Sequence, residues 1–366
     1  MNDTALYVHI PYCKSKCGYC DFCSSPDIST VDAYVSELIR RIKAYKTEQS
    51  VKSIYFGGGT PTYIGADRLC LILDAILSNF STENGCEITA EANPGTVDIN
   101  GLKLMKKAGF NRLSAGIQTA NESELKALGR VSHTVTDGAK LVRNACEAGF
   151  ENINLDLMYG IPGQTPESLD HSLDFVLQLK PEHISAYALK LEEGTPLYKQ
   201  KPVLPDDDTT ADMYTQINAK LKANGYNRYE ISNFAKPGYE SRHNLRYWQG
   251  GDYIGFGLAS ASLTGNTRYL QPPDMKEFLS GNAPDVVETL DAAGREAEYI
   301  MLHLRLSSGI DKNEYKEKFK VDFDKKFERQ IKTYTDGGFA VNTDKSFYLS
   351  DSGIFVSNTI ITDFIY

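Results

Sequence analysis

Cys13, Cys17 and Cys20 form a C-x3-C-x2-C array directly after the run Tyr7-Val8-His9-Ile10-Pro11-Tyr12. One short loop with that spacing can direct three thiolates at three irons of a single 4Fe–4S cube, leaving the fourth iron open to a bound molecule. Electron-transfer clusters normally use four cysteines, so a three-cysteine loop points to chemistry at the cluster. The alternatives are a zinc site or three unrelated thiols. Zinc sites pair C-x2-C with a second Cys or His pair of similar spacing, and none is present here. Further polar groups fall at the ends of apolar runs. Gly57-Gly58-Gly59-Thr60-Pro61-Thr62 offers a backbone edge that a ligand can approach closely and whose carbonyls can receive an ammonium group, although a turn explains such a triplet as well. Glu91, Gln118 and Asp156 each close or occupy a strand-like run. Singly each reads as a cap or a satisfied polar residue; together they point to one site.

The elements that must position these groups alternate between strand and helix. The pattern predicts strands over Ala5–Ile10, Ser53–Phe56, Glu87–Ala92, Arg112–Ile117, Asn152–Met158 and His183–Leu189. Helices are expected over Val31–Tyr45, Leu69–Leu77, Ile99–Ala108, Val135–Ala148 and Pro166–Leu179. Such alternation implies an α/β protein with a parallel sheet and right-handed crossovers. Doubly wound and barrel forms both satisfy it. A partial (β/α)6, TIM-like barrel is favoured because the informative polar motifs fall just after strands, where barrel active sites lie. Past Lys190 the pattern changes: a Pro- and Asp-rich linker over Lys201–Asp208, a helix to about Asn224, a strand over Arg228–Ser232, and a Pro/Gly/Asp-rich boundary over Gln271–Asp285. A helix over Ala292–Leu306, two more helical segments and a hairpin at Ser346–Ser350 suggest a small winged-helix-like α+β domain. The expected units are 1–240, 241–285 and 286–366.

Composition bounds the function. The chain has 366 residues, 41% hydrophobic and 24% charged, which are globular values. A net charge of −9 argues against general nucleic-acid or anionic-membrane binding. The Lys-rich stretch Lys312–Lys332 carries Glu and Asp throughout and reads as a solvated helix face. Seven cysteines, four of them near the N-terminus, do not resemble a secreted disulfide framework. Cys70, Cys86 and Cys146 read as small buried hydrophobes. No signal peptide or apolar run of about 18 residues is evident, so a cytoplasmic protein without an integral membrane segment is expected.

Taken together, these motifs give a sequence that resembles radical S-adenosylmethionine (SAM) enzymes, and within them the oxygen-independent coproporphyrinogen oxidases and their heme-chaperone relatives. The resemblance rests on Tyr7–Cys20, Gly57–Thr62, Gly116–Gln118 with Leu128-Gly129-Arg130, Asp156–Pro162 with Gly163, Tyr229–Phe234 and His243-Asn244-Leu245-Arg246-Tyr247-Trp248. It implies a radical SAM barrel, a 4Fe–4S cluster on Cys13, Cys17 and Cys20, and SAM chelating the unique iron. It assigns SAM contacts to Tyr7, Gly58, Gly59, Thr60, Glu91, Gln118, Arg130, Asp156 and Ala188. Carboxylates suit ribose hydroxyls and the ammonium, and Arg130 suits the SAM carboxylate.

Within that family the oxidases carry a long extension before the cysteines and a fourth cysteine two positions after the third. Here twelve residues precede Cys13, and Phe22 stands at that place with Cys23 beyond it. The resemblance is therefore to the chaperone branch. It implies heme as a further ligand, with His243 a candidate axial ligand and Tyr247 and Trp248 as packing neighbours, and it implies heme-acceptor proteins and an electron donor as partners. A fourth-cysteine role for Cys23 is set against an inert one, which is favoured. Ala261 stands where relatives have a histidine, so any contact made by that histidine is absent. The alternative functions are oxidative decarboxylation of coproporphyrinogen III and another radical SAM reaction such as methyl transfer.

Overall fold

The computed structural model describes residues 3–365. The apolar runs of the first half form six strands: β1 (Asp3–Ile10), β2 (Ser50–Gly58), β3 (Thr82–Ala92), β4 (Arg112–Gln118), β5 (Ile153–Tyr159) and β6 (His183–Ala188). Each pairs in parallel with the next. Their spatial order is their chain order. A doubly wound sheet would reverse strand order at a switch point; this one winds a single way, as a barrel does. The helices between strands begin where side chains can satisfy their first amides. Asp98 accepts from Gly101, and Thr134–Asp137 and Thr165–Ser168 form reciprocal caps.

The barrel does not close, because β1 and β6 each pair outward with other strands. Beyond β6 lies a hairpin of β7 (Asn227–Arg228) and β8 (Asn233–Ala235). Beyond β1 lie β9 (Tyr253–Phe256), parallel to it, then β10 (Ala261–Thr264), β11 (Thr267–Leu270) and β12 (Asp285–Thr289), making one twelve-stranded sheet. Two expectations change. Arg228–Ser232 is not a strand: β7 ends at Arg228 and the chain reverses to pair Arg228 with Phe234. The segment 241–285 extends the barrel sheet as well as connecting it to the C-terminal module.

The strands carry two kinds of surface. Leu6, Val8, Ile54, Phe56, Ile88, Leu113 and Leu155 are buried in one core with Leu38, Leu69, Ile72 and Leu73 of the surrounding helices. The intervening positions turn inward and are polar or aromatic: Tyr55, Glu91, Arg112, Ser114, Asn154 and Asp156 line one lumen. Parallel strands covered on both faces usually read as continuous apolar runs; these alternate because the lumen is polar.

From Ala292 a helix runs to His303, three residues short of the expected Leu306, because Leu306 leaves it to bridge Glu230. Strands β13 (Ile310–Asp311), β14 (Ala340–Asn342) and β15 (Ser346–Leu349) form a separate antiparallel sheet in the order β13-β15-β14. Tyr315, Phe323, Phe327, Phe347 and Phe364 pack as its aromatic core.

Tyr34 ties the open edge together. Its hydroxyl donates to the His9 carbonyl of β1 at 2.7 Å and accepts from Leu258 N, just past β9, at 3.0 Å. Its ring stacks on Phe278 at 4.8 Å. Tyr34→Phe keeps the ring but orphans a buried carbonyl and a buried amide, each costing about 1–3 kcal/mol when left unmade. The variant is expected to unfold at lower urea concentration than the wild type; an unchanged midpoint counts against this tie.

Candidate functional site

The loop after β1 holds all three cysteines, and Cys13, Cys17 and Cys20 line the same cavity of 440 Å³ as the inner faces of β2–β6. The loop is pinned at its ends and middle. Cys13 N donates to Ser25 O (3.0 Å) and Ser25 N to Pro11 O (2.9 Å); Gly18 N donates to Leu128 O (2.9 Å) and Leu197 N to Gly18 O (2.7 Å). Gly129 permits this docking: its φ is +70°, and a Cβ there would lie 2.8 Å from Gly18 N. Arg130 then braces the loop, donating from Nη1 to Cys17 Sγ (3.5 Å) and Tyr19 Oη (3.3 Å) and from Nη2 to Asn93 Oδ1 (2.6 Å) and Gly116 O (2.9 Å). Burial raises the Cys13 thiol and pushes Cys20 up to about 11, so metal binding at neutral pH must displace protons. Cys23 lies outside the cavity lining. Its carbonyl accepts from His9 Nε2 at 2.9 Å, which leaves His9 Nδ1 to accept from Tyr7 Oη at 3.1 Å.

Among the residues expected to contact SAM, Gly58, Gly59, Glu91, Gln118, Arg130, Asp156 and Ala188 line the cavity. Tyr7 and Thr60 do not. Tyr7 stacks on Tyr55 with centroids 6.4 Å apart, and Thr60 Oγ1 accepts from Asn93 Nδ2 at 2.7 Å, 3.5 Å from Cys13 Sγ. The glycine edge is demanded by packing as well as by access. Gly58 has φ +108°, and a Cβ on Gly59 would meet Tyr12 O at 2.6 Å. Glu91 accepts from Tyr55 Oη at 2.8 Å, and Asp156 Oδ1 accepts from Asn154 Nδ2 at 2.7 Å. Burial pushes the Glu91 carboxyl up to about 7, with the charge of Asp156 adding to the rise, and burial raises Asp156 too. A cationic or hydroxyl-rich ligand between them relieves that cost. Gln118 sits at φ +68°, a strained setting for a non-glycine residue.

His243 and Tyr247 lie beneath this cavity. Ser241 caps the helix Arg242–Trp248, and Glu87 in the middle of β3 accepts from Arg242 N (3.2 Å) and His243 N (3.1 Å), placing a carboxylate on the helix N-terminus. His243 is 1% exposed, stacks on Tyr55 at 5.0 Å, and bonds Ser53 Oγ through Nδ1 and Tyr247 Oη through Nε2, both at 3.0 Å. Burial pushes its imidazole down to about 3. Arg246 clamps the same helix to β1 through Asp3, at 2.7 Å, and Trp248 faces Arg305 at 5.8 Å. In this conformation the hexapeptide is a plug for the barrel floor, and His243 presents no free nitrogen to an iron. Ala261 is exposed at the start of β10.

Several lining residues escaped the strand-end reading: Arg112, Ser114, Asn154, Ser185, Tyr187 and Asn244. The signal that could have found the strand residues is alternation inside the strands, as in Arg112-Leu113-Ser114-Ala115. At the mouth, Phe22 and Tyr187 are 63% and 40% exposed, beside Lys16 and Lys190.

Comparisons with known proteins agree with this architecture. Residues 7–176 match the Radical SAM superfamily and residues 290–356 the HemN C-terminal domain. A protein of Lactococcus lactis named heme chaperone HemW is 34% identical over 99% of this chain and 97% of its own. One of the same name from Bacillus subtilis is 36% identical over 99% of both. The solved coproporphyrinogen III oxidase HemN of Escherichia coli superposes with a TM-score of 0.86 over 99% of this chain and 90% of its own, at 23% identity, a likeness of fold. The chain belongs to the family of the heme chaperone HemW, within the radical SAM superfamily.

Proposed function

We propose that this protein is a heme chaperone that carries a 4Fe–4S cluster and SAM in its barrel, binds heme, and passes the heme to acceptor proteins. Near-full-length likeness to proteins bearing that name is the observation that carries the reading. Cys13, Cys17 and Cys20 hold the cluster in this proposal. Their convergence on one cavity supports it, as does an arginine braced against the loop. Gly58, Gly59, Glu91, Gln118, Asp156 and Ala188 take SAM in the same cavity, with Tyr7 and Thr60 behind them and Arg130 holding the loop. When bound, the cluster supplies one-electron reducing power to SAM.

Heme requires a large apolar face with cations near its propionates. The cavity mouth, where Phe22 and Tyr187 stand beside Lys16 and Lys190, suits that better than the floor plug. His243 reaches iron only if the hydrogen bond at the ligating nitrogen breaks, that to Tyr247 for Nε2 or that to Ser53 for Nδ1. The units 1–240, 241–285 and 286–366 belong to the proposal as barrel, floor-and-edge annex and C-terminal module. A cytoplasmic site of action and an electron donor belong to it too. Among the described residues no helix is long and apolar enough to cross a membrane.

Cluster assignment is tested by anaerobic reconstitution. Cys13→Ala, Cys17→Ala and Cys20→Ala are each expected to lose the broad visible absorption, and Cys23→Ala to keep it. Retention in Cys20→Ala with loss in Cys23→Ala reassigns the ligands.

Hemin titration tests the function. A Soret band is expected, and coproporphyrinogen III should remain unconverted with SAM and reductant present. Conversion to protoporphyrinogen IX with no heme affinity overturns the chaperone reading. His243→Ala is expected to lower thermal stability while leaving the Soret maximum in place; a shifted maximum means that the floor helix opens and the ring ligates iron.

A further inference from the structure

Among the described residues, one buried charged side chain of the lumen has neither a hydrogen-bond nor an ion-pair partner for its charge. Arg112, the first residue of β4, is 1% exposed and is the bulkiest of the fully buried side chains. Its guanidinium makes no hydrogen bond or ion pair with any described residue, Nε is buried without a partner, and the side chain lines the cavity. Thr89, its cross-strand neighbour on β3, also buries a hydroxyl without a partner. Arg130, the other buried arginine, also leaves Nε unpartnered but is answered through its Nη atoms by Asn93 and Gly116. An unpaired guanidinium taken out of water is costly, and buried charges are ordinarily paired. Glu91 and Asp156 share the lumen, yet neither forms an ion pair with Arg112.

We propose that Arg112 is the anion anchor of the lumen, its free fork pairing with a carboxylate of a ligand that reaches the far end of β4 from Gln118. A planar guanidinium matches carboxylate and phosphate alike. The neighbouring Glu91 and Asp156 select between them, because a singly charged carboxylate suffers less repulsion there than a doubly charged phosphate. Two carboxylates could arrive: that of SAM, or a propionate of heme entering from the mouth. Naming these ligands rests on the function proposed above; the anchor itself rests on the geometry of Arg112.

The test compares each acid with a counterpart lacking the carboxylate. Reconstituted wild type, Arg112→Met and Arg112→Lys are titrated anaerobically with SAM, decarboxylated SAM, hemin and hemin dimethyl ester. In Arg112→Met one acid should lose about ten- to a hundredfold in affinity, as expected for a charged hydrogen-bonded pair. Its counterpart should be unchanged, and Arg112→Lys should fall between. Loss confined to SAM assigns the anchor to SAM; loss confined to hemin assigns it to a propionate. Equal loss for acid and counterpart makes Arg112 a prop for the lumen and overturns the proposal, as does no loss in either pair. If Arg112→Met does not fold, the same ratios in Arg112→Lys decide. If the wild type binds no hemin or ester, the chaperone reading falls, and the SAM pair alone decides the anchor.

Discussion

Six parallel strands turn polar side chains toward a shared interior, and buried polar groups must find partners or a ligand. That constraint organises the molecule. An ordinary barrel fills its interior with branched apolar side chains; this one places Glu91, Arg112, Asn154 and Asp156 there. The floor must then be sealed by something equally polar. The helix Arg242–Trp248 does so, with Glu87 on its N-terminus and His243 between Ser53 and Tyr247. Above the seal, Glu91 is raised to about 7 and Asp156 is raised by burial. Such carboxylates are poised for a ligand rather than satisfied by the fold.

The cysteine loop is built on a different principle. Backbone hydrogen bonds to distant segments hold it: Ser25 at one end, Leu128 and Leu197 at Gly18. Arg130 joins the two systems, since one guanidinium reaches both Cys17 at the rim and Gly116 on β4. A change in the position of the loop is thereby felt at the strand that also carries Gln118.

Much of this was legible in the sequence. The β/α alternation set the order of β1–β6, and Glu91, Gln118 and Asp156 at strand ends led to the cavity, because a parallel barrel gathers those ends at one mouth. What escaped notice had physical reasons. β9–β12 are four or five residues each, too short for a clear alternation, and the pairing of β9 with β1 spans a long sequence separation that local periodicity does not report. The Arg228–Ser232 run has strand-like residues, yet Tyr229 commits its hydroxyl to His183 and Ser241 while the chain turns. His243 has the residue type of a ligand; only the fold shows Ser53, Tyr55 and Tyr247 arranged around its ring. Arg112 was absorbed into a strand because a charged residue at a strand start ordinarily reads as solvated.

β1 is flanked on one side by β9, and its first residue, Asp3, is held by Arg246. A ribosome delivers these partners roughly two hundred and fifty residues apart, with the N-terminal part emerging first. β1 is thus fully covered only long after it is made. The cysteine loop beyond it lacks the Leu197 bond to Gly18 until that residue has emerged. Assembly of the cysteine loop is in this sense a late event of biosynthesis, reached only when the body of the barrel is already present to receive it.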